Sequence, residues 1–539
     1  MHSGRAITTT PSRRRHAVVG IAALLGLAGI AGPTMADELN AEGWTVLRPS
    51  PDTRFVFVSS SEGDDRNSGR SPAKAVRSFA RAKDLMRDNS ADWMLLKEGD
   101  VWETGLGTWR FSGRSEDERV VIASYGDGNA RPKLSLTNQT GISGAYGQDI
   151  SHVAIVGIHF EANRQPGDSN RGIKWQSVGE GLLVEDCAID GFFNNVSIEG
   201  LNQGFENAKF RRNIITDAWS VSGHAQGFYA GDVTGLLMEE NVIDHNGWNP
   251  DIDGAVATTF KQNVYIQTSV KDVVFRGNIS SRSAAAGVQM RAGGIAEDNL
   301  FYANPKSLRF GYRTLDWPEE YATGAIRNNV VVGGPIAMEV PEIFGIWTER
   351  LRDVVIEGNV IANATGEIYP IAFTMGAFAE NVEMFNNTTY DWVNGSRGVA
   401  FKFTAVTDGL PAGTVTIRDN RWVMPGSDRV ASVRELGMIA FWNNKFEGVS
   451  ATGSTFSIEG QNGDMADWVG TPNVSDDEII NVGFMDSGRD LGSYAEHIGL
   501  ADETAFIEAA RAMSRDNWNP VLTGSVAAEW IRAGYAPAD

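Results

Sequence analysis

The feature that most constrains this chain is a short recurring pattern: an apolar residue, two polar or small ones, Asn, then a mostly apolar pair. It reads Phe210-Arg-Arg-Asn213-Ile-Ile, Met238-Glu-Glu-Asn241-Val-Ile, Phe275-Arg-Gly-Asn278-Ile, Ala296-Glu-Asp-Asn299-Leu-Phe, Ile326-Arg-Asn-Asn329-Val-Val and Ile356-Glu-Gly-Asn359-Val-Ile. Looser copies end on Asn387, Asn420 and Asn444, and Val184-Glu-Asp-Cys187 opens the series. The mean period is about 29 residues. Short apolar strands at such a period, with Gly and Asn between them and no helical periodicity, describe the coils of a β-solenoid. Asn tolerates a left-handed turn, and stacked amides can hydrogen-bond from coil to coil. Cys187 occupies an Asn slot and is expected to be a small inward residue rather than a reactive thiol. A solenoid also explains how 539 residues can form one domain, since each coil contacts only its neighbours.

The ends of a solenoid expose strand edges and need covers. Ser71-Pro72 followed by 73–87 reads as a capping helix, Trp93-Met-Leu-Leu96 as an early strand, and 97–100 as a turn. Ala501–Ser514 and Ser525–Ala533 read as helices folding back over the last coils. The resulting fold class is all-β: a single right-handed parallel β-helix with an N-terminal capping helix and a short helical C-terminal segment. The expected divisions are 1–36, a leader; 37–110, the N-terminal cap and first coils; 111–460, the β-helix; and 461–539, the C-terminal segment.

The leader rests on Arg13, Arg14 and Arg15, then an apolar run from Ala17 to Gly32 too short to span a bilayer. Small residues precede a cut after Ala36, so a secreted or periplasmic protein is expected. No other segment is apolar for long enough to be a membrane span. A lone cysteine forms no internal disulfide. Removing the leader's four arginines leaves 43 basic against 68 acidic residues, or −25, which repels nucleic acid and anionic membranes. Between positions 255 and 313, however, eight basic residues face three acidic ones. A basic island in an acidic chain suggests an anionic ligand.

Aligning the coils on the repeat aligns the strand that precedes it: Gly172-Ile-Lys-Trp-Gln176, Gly227-Phe-Tyr-Ala-Gly231, Asn263-Val-Tyr-Ile-Gln267, Gly287-Val-Gln-Met-Arg291 and Ser307-Leu-Arg-Phe-Gly311. Strand side chains alternate, so Lys174, Tyr229, Tyr265, Gln289 and Arg309 form one outward column, flanked by Gln176, Gln267 and Arg291. Four coil steps of about 4.8 Å give roughly 19 Å, a length suited to several sugar residues. Lys and Arg pair with carboxylates or sulfates, Gln binds hydroxyls, and Tyr stacks or transfers protons. His224 precedes the second copy and is a candidate base. His245 and Trp248, in the next turn, are candidate groove residues. Asp251 and Asp253 offer two carboxylates for a possible Ca2+.

The opening Phe55-Val-Phe-Val-Ser-Ser-Ser-Glu-Gly-Asp-Asp-Arg-Asn-Ser-Gly-Arg-Ser-Pro72, with the Asn-laddered coils that follow, resembles the secreted pectate-lyase-like β-helix proteins. Gly287-Val-Gln-Met-Arg291-Ala-Gly293 is similar to the Arg-His-Gly segment of polysaccharide lyase family six and chondroitinase B-type lyases, and Arg291 is the matching position. The resemblance implies that this arginine neutralises a uronate carboxylate while a lysine removes the C5 proton. That lysine should fall near Val270 and the following histidine is Ala292 here. Lys271 is adjacent but begins the next strand, so the base falls to Tyr265, Tyr229, Lys174 or His224.

The leading expectation is therefore a lyase cleaving an acidic, uronate-containing polysaccharide by β-elimination, acting as a monomer. A glycoside hydrolase needs two carboxyl groups around the scissile bond, with Asp217, Asp232, Asp244, Asp253 and Glu339 as candidates. A glycan-binding or adhesive protein would keep the tryptophans, Trp175, Trp219, Trp248 and Trp317, without a base.

Overall fold

The computed structural model describes residues 37–538 except 129, 164–166, 313–320, 335–341, 366–368, 405–414, 436, 438 and 451; the expected leader, Arg313, Trp317 and Glu339 lie outside the described residues. The chain forms the expected right-handed parallel β-helix, with a 28-stranded and a 14-stranded sheet in which all but one of the strand pairings are parallel. Each coil contributes three strands. The first face carries the strand before each Asn, as in Phe205–Arg211, Val233–Glu239 and Lys271–Arg276. The second carries the short strand after it, as in Ile214–Thr216 and Val242–Asp244. The third carries the strand with the outward tyrosines, as in Gln226–Gly231 and Gln262–Ile266. Pairing on the first face runs from Phe55–Val58 to Val474–Ser475. Among the described residues no helix is long and apolar enough to cross a membrane.

The asparagine column is a buried ladder. Asn213 Nδ2 donates to Asn241 Oδ1 at 3.0 Å, Asn241 to Asn278 at 2.9 Å, and the chain continues through Asn299, Asn329, Asn359, Asn387 and Asn420 to Asn444. Its last member is Asp477, whose Oδ1 accepts from Asn444 Nδ2 at 3.0 Å. The left-handed turn expected of the asparagine itself belongs to the residue before it: Arg212, Glu240, Asp298, Asn328 and Asn386 all have φ between 52° and 58°. The asparagine then points inward, where its amide serves both neighbouring coils. Cys187 fills the first slot, fully buried, with Sγ 3.5 Å from the Ile155 carbonyl. Burial pushes its thiol up to about 12, which keeps it inert.

A second ladder lies at the corner between the second and third faces. Asn195 Nδ2 donates to Asn246 Oδ1 at 3.1 Å, and Asn246 Nδ2 to Asn263 Oδ1 at 3.0 Å. Gly227 alternates with these asparagines because a Cβ there would lie 2.7 Å from Asn246 Nδ2. Asn246 is thus a buried structural amide.

The covers differ from the sequence expectation. The N-terminal cap is a 3-10 turn, Pro72–Lys74, and a separate helix, Phe79–Leu85, whose start is capped by Ser78 Oγ accepting from Arg81 N at 3.1 Å. The last coils are closed by an unforeseen helix, Met465–Val469. Its Trp468 is fully buried, stacks on Phe456 at 4.9 Å, and donates to Asp477 Oδ2 at 3.0 Å. The C-terminal helices Leu491–His497, Glu503–Arg511 and Gly524–Gly534 do not cover the last coils. They pack on the second face, burying Val242, Ile279, Leu300 and Val330 against Phe506, Ile507 and Ile531. The N-terminal strand of chain around Asp37–Leu47 crosses the first face: Thr45 N donates to the fully buried Glu185, and Asp37 pairs with Lys209 at 3.1 Å. The two chain ends therefore cover two faces. The third carries the tyrosine column.

Candidate functional site

The column on the third face is Ser143, Lys174, Ser197, Tyr229, Tyr265, Gln289, Arg309, Trp347, Thr374 and Lys402, in strict parallel register. The sequence alignment omitted the coil Asn194–Glu199, so Lys174 and Arg309 are five steps apart, about 24 Å, rather than four. The spacing of that coil is ordinary, Ser197 lying ten residues after Cys187 as Arg309 lies ten after Asn299, but its outward residue is a small serine and its slot holds a cysteine. Trp347, Thr374 and Lys402 extend the column beyond what was expected.

Three of the expected residues, Tyr229, Tyr265 and Gln267, lie around Arg291. Its guanidinium lies 4.5 Å from the Tyr265 ring and 3.8 Å from the Tyr312 ring, and Nη1 donates to Gln267 Oε1 at 3.2 Å. Gln267 Nε2 in turn reaches Tyr229 Oη at 3.4 Å, and the two tyrosine rings meet edge to face at 5.6 Å. Contact with the two rings holds the planar guanidinium, and apart from the Nη1 bond to Gln267 its side-chain donors have no hydrogen-bond partner among the described residues. Tyr312 is the member that sequence reasoning missed, because it follows the strand Lys306–Gly311 outside the alternation.

Burial holds both phenols above their ordinary value. Burial pushes Tyr229 above its ordinary value; the Gln267 hydrogen bond opposes this, and the Glu199 and Asp232 carboxylates push it further up. Burial also raises Tyr265, but there the chief opposing influence is the Arg291 cation. Both are thereby favoured as phenols, and Arg291, which bears on both, is the counter-ion nearest a phenolate on Tyr265. Gln289, fully buried beside them, has neither amide atom hydrogen-bonded among the described residues, and the same holds for Ser197 Oγ.

Other expectations change. Arg309 is paired with Glu349 at 3.0 Å and stacks on Trp347 at 4.4 Å, so it is not a free cation. Gln176 donates to Glu199 at 2.9 Å. Lys174 is half-buried and has no hydrogen-bond or ion-pair partner among the described residues. His224 is exposed at the face's edge, its ring 5.5 Å from Phe260. His245 and Trp248 join a different cluster: His245 Nδ1 is 2.7 Å from Asp217, Asp217 pairs with Arg511 of the C-terminal helix, and Trp248 Nε1 donates to the Arg282 carbonyl at 3.0 Å. The basic island is dispersed over the coil: Lys261 is buried, Arg276 and Arg282 are ion-paired, and Lys271 starts a first-face strand. Val270, where the resemblance places a lysine, is fully buried.

The carboxylate candidates also scatter. Asp244 is fully buried between Arg282 and Arg511. Asp251 and Asp253 are exposed, and among the described residues no group of three or more His, Cys, Asp or Glu converges as a metal requires. Trp175 and Trp219 are buried.

No family model matches the sequence, and no curated protein does either. Among solved structures, the chain is similar to a PL6 family alginate lyase, AlyGC, at 13% identity, covering 77% of this chain and 54% of that one, with a TM-score of 0.47. It is also similar to the periplasmic alginate epimerase AlgG, at 10% identity over 66% and 77%, TM-score 0.42. A GH136 lacto-N-biosidase from Eubacterium ramulus gives 12% identity over 79% and 67%, TM-score 0.33. The chain thus spans about half the length of the alginate lyase. At these values the likenesses concern the trace of the chain alone.

Proposed function

We propose that the third face binds a uronate-containing polysaccharide and cleaves it by β-elimination. The observation that carries this reading is the Arg291 guanidinium against the Tyr265 and Tyr312 rings, with Tyr229 linked to it through Gln267. Arg291 accepts the uronate carboxylate in a bidentate pair, and neutralising that charge acidifies C5. Tyr265, as phenolate stabilised by Arg291, takes the C5 proton. The electron pair forms the C4–C5 double bond as the C4–O bond breaks, and Tyr229 gives its phenolic proton to the departing oxygen. Proton exchange through solvent then resets the two phenols. Gln267 bridges Arg291 and Tyr229 and fixes the spacing of the two ends of the reaction. Lys174, two coils from Tyr229, suits a neighbouring carboxylate along the chain.

A hydrolase reading draws on one observation: Glu199 and Asp232 both bear on Tyr229. Incubation of the purified protein with alginate, pectate, glycosaminoglycans and neutral glycans separates the two. Elimination yields an ultraviolet-absorbing unsaturated end with each new reducing end, and hydrolysis yields reducing ends alone. Absence of the chromophore on every uronate polymer would overturn the lyase reading.

A further inference from the structure

At the edge of the third face, two loops are held together by a buried cation. Lys261 is 2% exposed, and its Nζ donates to the carbonyls of Ser220 at 2.6 Å and Val256 at 2.7 Å. Gln226 adds a second clasp, with Nε2 donating to the Phe260 carbonyl at 2.9 Å and Oε1 accepting from Gln262 N at 3.0 Å. Burying an ammonium to fasten two loops costs several kcal/mol unless it is fully coordinated, so the loops' geometry is strongly specified. What this rigid edge displays is apolar: Phe260 is 62% and Val256 64% exposed, and the His224 ring sits 5.5 Å from Phe260.

The register explains the juxtaposition. Gln226 pairs with Gln262 across adjacent coils, so His224 and Phe260, each two residues earlier, are equivalent positions on successive coils. Each lies five residues before a tyrosine of the site, Tyr229 and Tyr265 respectively. One pair of coils therefore presents two aromatic pairs, one tilted and one edge to face, no more than about 16 Å apart along the strands.

We infer that Phe260 and His224 form a sugar-binding platform that stacks on the apolar face of a ring in the same polysaccharide chain, away from the bond that is cleaved. This rests on the polysaccharide reading of the face. The occupant follows from continuity with the tyrosine site and from chemistry: an exposed aromatic pair beside polar, glutamine-lined strands offers C–H stacking with hydroxyls bound alongside. His224 is then a binding residue and not the base.

The test compares wild type with Phe260→Ala and His224→Ala on a long uronate polymer and on its shortest cleavable oligosaccharide. Phe260→Ala should raise KM for the polymer roughly three- to tenfold, with kcat unchanged and the short substrate unaffected; Phe260→Trp should restore the wild-type KM. His224→Ala should keep kcat and leave the pH profile in place. Wild-type activity together with an unchanged polymer KM in Phe260→Ala would overturn the platform alone, as would a hundredfold loss of kcat in His224→Ala. No wild-type activity on any uronate polymer would overturn it together with the reading it rests on.

Discussion

At the scale of single residues, the site stands on a planar cation whose geometry matters as much as its charge. Arg291→Ala should lower kcat/KM on an anionic polymer by about 10²- to 10³-fold, and Arg291→Lys should not rescue it, because an ammonium neither stacks between Tyr265 and Tyr312 nor forms a bidentate pair. Steady-state kinetics on both variants check this; full activity in either would show that the carboxylate is bound elsewhere. Tyr265→Phe should abolish turnover while leaving polymer binding, measured by calorimetry, within a few-fold of wild type.

At the scale of the ladder, each internal asparagine bonds in both directions, so its loss leaves several buried groups unpaired. Asn329→Ala strands the Asn299 amide and the Ala296 carbonyl on one side and the Asn359 acceptor on the other, and should cost about 3 kcal/mol or more in a denaturant titration. The last rung has its own pH dependence. Burial raises Asp477 from 3.8 to about 6, so its contribution is fully present below pH 4 and is lost as pH rises through about 6. Relative to Asp477→Asn, which cannot titrate, wild type should lose stability by about 3 kcal/mol between pH 4 and pH 8, read from paired denaturant titrations. A constant difference across that window would mean that the carboxyl titrates normally.

For the molecule as a whole, the chain ends decide which face is free. Arg511 ties the C-terminal helices to Asp217 and to the buried Asp244, so Arg511→Ala should destabilise the protein by about 3 kcal/mol. It should leave kcat/KM within twofold at temperatures where the fold persists, and His245→Ala should behave likewise. A large kinetic loss in either would return the His245 cluster to the active face.

What the sequence by itself determined is the coil and its inner column. Asn, Gly and apolar strands at a steady period permit few other folds, and period-two alternation separates Tyr229, Tyr265 and Arg291 from the core without any long-range information. Other features depended on packing between distant segments. Asn246 and His245 adjoin in sequence, yet one enters a buried ladder and the other an ion cluster beneath a helix 260 residues away. The Asn194–Glu199 coil, opened by Cys187 in place of Asn, carries its step of the wall on a serine, and Tyr312 fell outside any alternation. Pairing of Arg309 with Glu349, the covering of two faces by the chain ends, and the placing of His224 against Phe260 were decided only by tertiary structure. Local periodicity sets which way a side chain points, but only the folded coils set what it meets.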